Sequence, residues 1–166
     1  MENKSDLSAW ISKITHDINT PLSVISGSNA MNKDAFINEQ NDYKKFIEEL
    51  NDEEKSLFTS FSALVSSKGE IEMSSREERQ AKKKLAAELK EIGLENLSDN
   101  AGDLVKLRVH EDFDKIASAL KLEKAAKMIE ILLSRRNMSQ NMRNMDIAVD
   151  KLRAIVVEMK NYATTV

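Results

Sequence analysis

The chain has 166 residues and a formal net charge of −3 at pH 7, with no cysteine, one proline and four glycines. So few turn-forming residues exclude an all-β fold, in which turns recur about every 8–12 positions. Leu, Ala, Glu, Lys and Met are abundant and favour helices, so the composition predicts an all-α protein. The absence of cysteine excludes disulfide bonds, thiolate catalysis and cysteine-based zinc sites, and it fits a reducing compartment.

Charge and hydropathy limit the partners that we expect. The negative net charge gives no general attraction to polyanions, so no nucleic-acid partner is expected. No apolar run approaches the ~18 residues of a membrane span, and no signal peptide opens the chain. We therefore expect a cytoplasmic protein, or the cytoplasmic portion of a membrane-bound sensor, without direct membrane contact.

The first predicted helix runs from about Asp6 to about Asn29, with Ser5 or Asp6 as its N-cap. Its apolar residues recur in steps of three and four, the spacing of one helix face: Leu7, Ile11, Ile14, Ile18, Leu22 and Ile25. At about 100° per residue, His16 lies nearly opposite this face, so we expect its side chain to be exposed.

The residues after His16 make it a candidate nucleophile. Pro21 lacks an N–H and leaves the Asp17 carbonyl without its helical partner, so we expect a bend immediately after His16. A neutral imidazole is well populated near pH 7, and Asp17 could hold one ring nitrogen while the other attacks phosphorus. Thr20 lies one turn further on, where its hydroxyl could position a water or a phosphate oxygen. Without these neighbours, a solvated histidine with no role would be the better interpretation.

Further helical segments are predicted in the middle of the chain. Asn51 or Asp52 can cap the second of these helices. Ser74 or Ser75 can start the third with a capping box, and this third helix ends at Gly93. The segments cover about Asp34 to Leu50, Asn51 to near Gly69, Arg76 to Ile92, Ser98 to Leu107, and Asp112 to Leu120.

The last predicted helix, from about Leu122 to Ala163, has the longest regular pattern. Its apolar residues step by four and three as in a coiled coil: Met138, Met142, Met145, Val149, Leu152, Val156, Met159 and Ala163. The methionines are interpreted as bundle core rather than as a ligand site. A hairpin of the first and last helices would leave apolar surface exposed, and dimerisation into a four-helix bundle would bury it. We therefore predict a hairpin from residues 1–31 and 122–166, with an inserted helical subdomain at 32–121.

The histidine segment has a specific resemblance. It reads Ile14-Thr15-His16-Asp17-Ile18-Asn19-Thr20-Pro21-Leu22, which resembles the H-box of sensor histidine kinases. The last helix, from Asn141 to Tyr162, resembles the second helix of that family's dimerisation and phosphoacceptor domain. The resemblance implies that His16 is autophosphorylated, that Asp17 is a general base, and that Thr20 supports dephosphorylation of a partner. It also implies a homodimer that meets an ATP-binding catalytic domain and a response-regulator receiver domain.

Two features depart from the family pattern. About 100 residues separate the two bundle helices, which in the family are joined by a short connection. The stretch that begins with Met73 to Arg79 resembles a helical insertion of a subgroup of hybrid sensor kinases. Gly27, Gly69, Gly93 and Gly102 form no phosphate-binding loop, so Mg-ATP is expected only through a kinase domain absent from this chain. We therefore expect an excised domain that accepts phosphate and is not active alone.

Other residues are weaker candidates for function. His110-Glu111 lacks the following proline and is interpreted as a surface histidine. The basic residues around Lys82–Lys84 alternate with glutamates at helical spacing, which favours an ion-paired solvated face. Two distant histidines without cysteine give no metal-ligand spacing. Two alternatives to the kinase domain stay open: a stand-alone histidine phosphotransfer protein, and a non-catalytic helical dimerisation module.

Overall fold

A computed structural model describes residues 2–69 and 73–165 of the chain. All regular secondary structure within these residues is helical, which confirms the predicted all-α class. They form six α-helices and two short 3-10 helices, at Glu95–Asn100 and His110–Asp112. The α-helices are α1 (Glu2–Glu49), α2 (Asp52–Ser67), α3 (Ser75–Glu91), α4 (Ala101–Lys106), α5 (Phe113–Leu120) and α6 (Ala125–Thr165).

Helix α1 is longer than predicted. The sequence pattern predicted one helix that ends near Asn29 and a second that begins at Asp34, but α1 continues without interruption to Glu49. The residues between these points include no glycine or proline, so nothing in the backbone stops the helix. The helix also begins at Glu2, so Ser5 and Asp6 lie inside it and neither is the N-cap.

The predicted starts of α2 and α3 and the end of α3 are confirmed. Asn51 caps α2 in a capping box, with its side chain accepting from the Glu54 N–H and its own N–H donating to the Glu54 carboxylate. Ser74 and Glu77 form the same reciprocal pair at the start of α3. Gly93 follows α3 with a φ of +78°, a left-handed conformation that glycine adopts without strain.

The chain divides into two compact units. Unit 1 contains the chain up to Ile37 and from Asn137 onward, and unit 2 contains Asn38–Arg136. The sequence pattern placed the corresponding boundaries at 31/32 and 121/122. Both observed boundaries lie inside long helices, where no change of composition or turn residue marks them.

Unit 1 pairs the first part of α1 with the last part of α6 in antiparallel orientation. Near one end, the Asn141 amide donates to the Asn32 side chain at 2.9 Å. Near the other, the rings of Trp10 and Tyr162 stack with their centroids 4.3 Å apart. Because Asn32 pairs with Asn141 while Trp10 pairs with Tyr162, the two helices run in opposite directions.

Unit 2 contains one continuous apolar core. Every α-helix or α-helical segment in this unit contributes at least one buried side chain, and the largest include Phe61, Leu85, Leu89, Leu97, Leu104, Ile116 and Met128. Phe46 and Phe58 meet edge to face with ring centroids 5.7 Å apart, which joins α1 to α2. Unit 2 therefore has the packed interior of a small globular domain.

An ion-pair cluster at the rim of this core joins the end of α2 to the start of α5. The ammonium of Lys68, which follows α2, and that of Lys115 both donate to the carboxylate of Asp112. The two hydrogen bonds lower the pKa of Asp112 to about 2. The side chains of Lys68 and Asp112 are both largely buried, so these charges depend on each other.

We expect Leu104→Ala to destabilise the protein by about 2–5 kcal/mol, because the Leu104 side chain is completely buried and its removal leaves a cavity. Urea unfolding followed by circular dichroism measures this loss. Ile92→Ala, at an exposed position just after α3, is the matched control and should change stability little. Equal losses for the two variants would contradict the packing of this core.

Asp112 makes stability depend on acidity. Its folded-state pKa lies below the ordinary value of 3.8, so the stabilisation is fully present above about pH 4 and is lost as the pH falls toward 2. Asp112→Asn should therefore lower the melting temperature at pH 7, and the difference from wild type should shrink as the pH falls through this window. Asp114→Asn, at the next acidic position of α5, is the control. A difference that stays constant down to pH 2 would contradict this role for Asp112.

Candidate functional site

His16 lies on the solvent side of α1 in unit 1. Its side chain is 81% exposed, as the helical spacing predicted. Ile14 is buried with only 4% exposed, so the helix turns one face inward and presents the imidazole on the other. A ring in this position can be reached by a large partner without a change in the fold.

Asp17 approaches the imidazole from the next position in the chain. Its Oδ1 atom lies 3.5 Å from Nδ1 of His16, at the outer limit of a hydrogen bond. Contacts of this kind often shorten when the reacting complex forms. A carboxylate on Nδ1 favours the tautomer with its proton on that atom, which leaves the lone pair of Nε2 available as a nucleophile.

Thr20 lies one turn beyond His16, but its hydroxyl is occupied. Thr20 Oγ1 donates to the backbone carbonyl of His16 at 3.1 Å. A role toward water or phosphate at the ring therefore requires the side chain to rotate away from this carbonyl. Thr20 lies on the same stretch of helix as the imidazole of His16. Of Asp17 and Thr20, Asp17 is the residue whose side chain contacts the ring.

Pro21 is buried, and α1 continues through it as a helix. Two further hydroxyls near the proline donate to carbonyls four residues back, Thr15 to Ile11 at 2.8 Å and Ser23 to Asn19 at 2.9 Å. Bonds of this type and prolines both favour helix bending. The bend that the sequence predicted after His16 stays a prediction, and the observed fact is that the proline ring faces inward while the histidine faces outward.

The inner face of α1 differs from the predicted apolar stripe. Its buried residues Ile14, Pro21 and Ser28 recur every seven positions, and Ile18 and Ile25 lie half-buried between them. By contrast, Leu7, Ile11 and Leu22 of the predicted stripe are exposed. The predicted stripe therefore covers two adjacent faces, because a spacing of three and four also fits residues on either side of the contact line.

Helix α6 shows the same division. Leu152 and Met159 of its predicted stripe are half-buried and Ala148 is buried, whereas Met142, Val149 and Val156 are exposed at intervals of seven residues. The side chain of Ala163, the last residue of that stripe, lies outside those that the structure describes. Sequence periodicity found the apolar residues and did not separate those facing α1 from those facing solvent.

Three polar contacts of the hairpin were not predicted. Lys13, one turn before His16, pairs with Glu158 of α6 at 3.6 Å. The Asn32 amide donates to the Met138 carbonyl at 3.3 Å and also accepts from Asn141. A polar pair inside a two-helix contact favours one register of the helices over others. No feature of either segment alone indicates these partners.

His110 was predicted to be a surface histidine, and the structure shows it half-buried at the start of a 3-10 helix. Its Nδ1 atom is buried without a hydrogen-bond partner among the described residues. Burial lowers the pKa of His110, and the charges of Arg108, Lys68 and Lys84 add to this effect while the carboxylate of Glu111 opposes it. These surroundings favour a neutral structural histidine.

The basic face of α3 is less neutralised than predicted. Lys84 pairs with Glu88 at 3.7 Å, but the carboxylate of Glu77 is used in the capping box with Ser74.

No group of three or more His, Cys, Asp or Glu side chains that could hold a metal ion occurs among the described residues. Likewise, none of the described helices has an apolar stretch long enough to cross a membrane.

Comparison with known proteins adds no relative to these observations. No family model, curated protein or solved structure matches the chain.

Proposed function

We propose that unit 1 is the dimerisation and phosphoacceptor domain of a sensor histidine kinase, with His16 as the phosphorylated residue. The observation that carries this proposal is the exposed imidazole of His16 with a carboxylate beside Nδ1, on one helix of an antiparallel pair. The H-box resemblance of the segment from Ile14 to Leu22 supports the same assignment.

The proposed reaction is transfer of a phosphoryl group to Nε2 of His16. The Nε2 lone pair forms a bond to the γ-phosphorus of ATP held by a separate kinase domain, the bond from phosphorus to the bridging oxygen breaks, and ADP leaves. Asp17 holds the proton on Nδ1 and stabilises the positive charge that develops on the ring. In a second transfer, a carboxylate oxygen of a receiver aspartate takes the phosphoryl group and the ring becomes neutral again.

Thr20 has the supporting role in this proposal. Its hydroxyl lies on the turn after His16. To act on a phosphorylated partner, it would have to break its hydrogen bond to the His16 carbonyl and form one to a water near the phosphate. Such a role affects dephosphorylation of the partner rather than phosphorylation of His16. We expect the domain to work in the cytoplasm, where ATP and receiver domains are found.

We propose that a second copy of the chain covers the exposed apolar residues of unit 1. Six of them form one row on each helix, with Leu7, Ile11 and Leu22 on α1 and Met142, Val149 and Val156 on α6. Exposed apolar residues at heptad spacing are typical of helices that pack in a bundle. Two hairpins that share these rows would form a four-helix bundle with the His16 rings on its outside.

We expect the cognate ATP-binding domain and Mg-ATP to label the chain with an acid-labile phosphate. His16→Gln should abolish this label, whereas His110→Gln is the matched control and should retain it. Asp17→Asn should slow labelling by about a hundredfold or more if the carboxylate assists as a base. Radiolabel transfer from ATP measures all three. Label that persists in His16→Gln would contradict the assignment.

The same assay separates the remaining interpretations. A chain that takes phosphate from a phosphorylated receiver but not from the kinase domain would be a phosphotransfer protein. A chain that takes phosphate from neither would be a dimerisation module. Thr20→Ala should keep the label on His16 and slow the loss of phosphate from the receiver, and slower labelling of His16 itself would contradict its supporting role.

We expect the protein to be a dimer of its 18.8 kDa chain in solution. Val149→Asp should weaken the dimer by at least about tenfold, because it would bury an unpaired charge at the interface. Val157→Asp, on the same helix but outside the row, is the matched control. Sedimentation equilibrium measures both, and equal effects of the two substitutions would contradict this interface.

A further inference from the structure

The exposed face of α3, in unit 2, carries a row of cations. Arg76, Arg79, Lys83 and Lys90 are all exposed and follow one another at intervals of three, four and seven residues. At about 100° per residue, these four positions lie within about 60° of one another around the helix. The opposite face of α3 is buried in the core of unit 2. We call these four residues the basic row of α3.

The charges of the basic row are not neutralised by the part of the chain that the structure describes. The ion pair on α3 itself is that of Lys84 with Glu88, at 3.7 Å, and it includes no member of the row. Asp103 of α4, the helix next to α3, pairs with Lys106 at 3.9 Å. Among the described residues, no carboxylate forms an ion pair with the row. Its positive charge is therefore available to a partner.

An open groove of about 430 Å³ lies among the cations in the first part of α3. The Nε atom of Arg79 donates to the backbone carbonyl of Ser75 at 3.0 Å, which holds this side chain along the helix. Long basic side chains keep their charged ends in water and present their methylene groups to such a groove. The groove can therefore take the methylene groups of a bound side chain whose charged end meets the cations. Its lining residues are Arg76, Arg79, Gln80, Lys82, Lys83 and Ala86.

The spacing of the basic row fits a partner helix better than a partner strand. Steps of three and four residues along α3 are close to one turn, and a helix repeats side chains on one face at this same pitch of about 5.4 Å. An extended strand repeats side chains on one face only about every 6.6–6.8 Å, so it would lose register with the row. The gap before Lys90 contains Ala86 and Ala87, whose small side chains let a second helix approach closely.

A protein helix also fits this face better than a nucleic acid does. Glu77, Glu88 and Glu91 lie on the neighbouring face of α3, and the whole chain has a net charge of −3. Both would repel a polyanion, whose binding depends on the neutralisation of several phosphates. A protein helix can present carboxylates to the basic row and basic side chains to the glutamates, so that both signs of charge are complementary.

We propose that the exposed face of α3 is a docking surface for an acidic helix of a partner protein. Carboxylates spaced three or four positions apart on that helix accept hydrogen bonds from the guanidinium and ammonium groups of the basic row. The contact consists of exposed charges, so it is weak and sensitive to salt. It uses no residue of unit 1 and does not depend on the proposed phosphoacceptor function.

The test titrates the full chain with two alanine-based helical peptides of identical composition and follows the amide signals of α3 by NMR. In the striped peptide, four glutamates have the intervals of the basic row. In the scattered peptide, the same glutamates are five positions apart, which spreads them around the helix. We expect saturable shifts along α3 with the striped peptide. The scattered peptide should bind about fivefold more weakly, the effect of losing about two surface ion pairs. Raising the ionic strength from about 0.01 M to about 0.15 M should weaken binding of the striped peptide.

Variants place the binding on the basic row. The double variant Arg79→Gln/Lys83→Gln should weaken binding of the striped peptide by about fivefold, because it also removes two ion pairs. The matched control is Lys45→Gln/Lys121→Gln, which removes the same charge at two exposed lysines elsewhere in unit 2 and should leave binding unchanged. All four positions are exposed, so neither variant removes a core contact, and circular dichroism confirms that each is folded.

Three results would overturn the proposal. One is the absence of saturable binding of the striped peptide at low ionic strength, or equal binding of the two peptides. Another is an equal loss of affinity in the two double variants, which would show attraction to the total charge rather than to the row. The third is binding of duplex DNA or of phosphatidylserine vesicles to α3 as tight as that of the striped peptide, which would show a general surface for polyanions.

Discussion

The structure of unit 1 depends on the antiparallel contact between α1 and α6. The inner face of α1 is narrow, with Ile14, Pro21 and Ser28 buried at seven-residue intervals. Ala148 is a buried residue that α6 contributes to this unit. A small side chain at such a position lets two helices approach closely, and a narrow contact leaves much of each helix uncovered. Both the exposure of His16 and the uncovered apolar rows follow from this contact.

The geometry around His16 divides the proposed chemistry between this chain and its partners. The chain provides an imidazole, one carboxylate and one hydroxyl, all on consecutive turns of the same helix. Lys13, the cation one turn before the ring, is paired with Glu158 and not with the imidazole segment. Phosphoryl transfer depends on positioning and charge stabilisation, so under the proposal a kinase domain and a receiver domain must supply most of both.

Unit 2 is stabilised by different interactions from those of unit 1. Its core is continuous, and the starts of α2 and α3 are fixed by the side chains of Asn51 and Ser74. Capping residues contribute about 1 kcal/mol each, which is enough to define where a short helix begins.

Much of the local structure could be predicted from the sequence. The all-α class, both capping boxes and the left-handed glycine at position 93 depend on interactions between neighbouring residues, which the sequence contains directly. The exposure of His16 was also predicted, from its helical spacing relative to the apolar residues of α1. The continuity of α1 could not be read from composition shifts, since a helix ends only where its backbone is stopped.

The sequence by itself determined the all-α class, where α2 and α3 begin, and which histidine is followed by an acid, a threonine and a proline. Only the tertiary structure decided which apolar residues face α6, that Asn32 pairs with Asn141, and that the guanidinium of Arg135 lies over the ring of Tyr43. The physical reason is the separation along the chain of the interacting residues, because helix formation and capping depend on residues only three or four positions apart. Pairing of residues about 100 positions apart depends on how the surfaces fit in space.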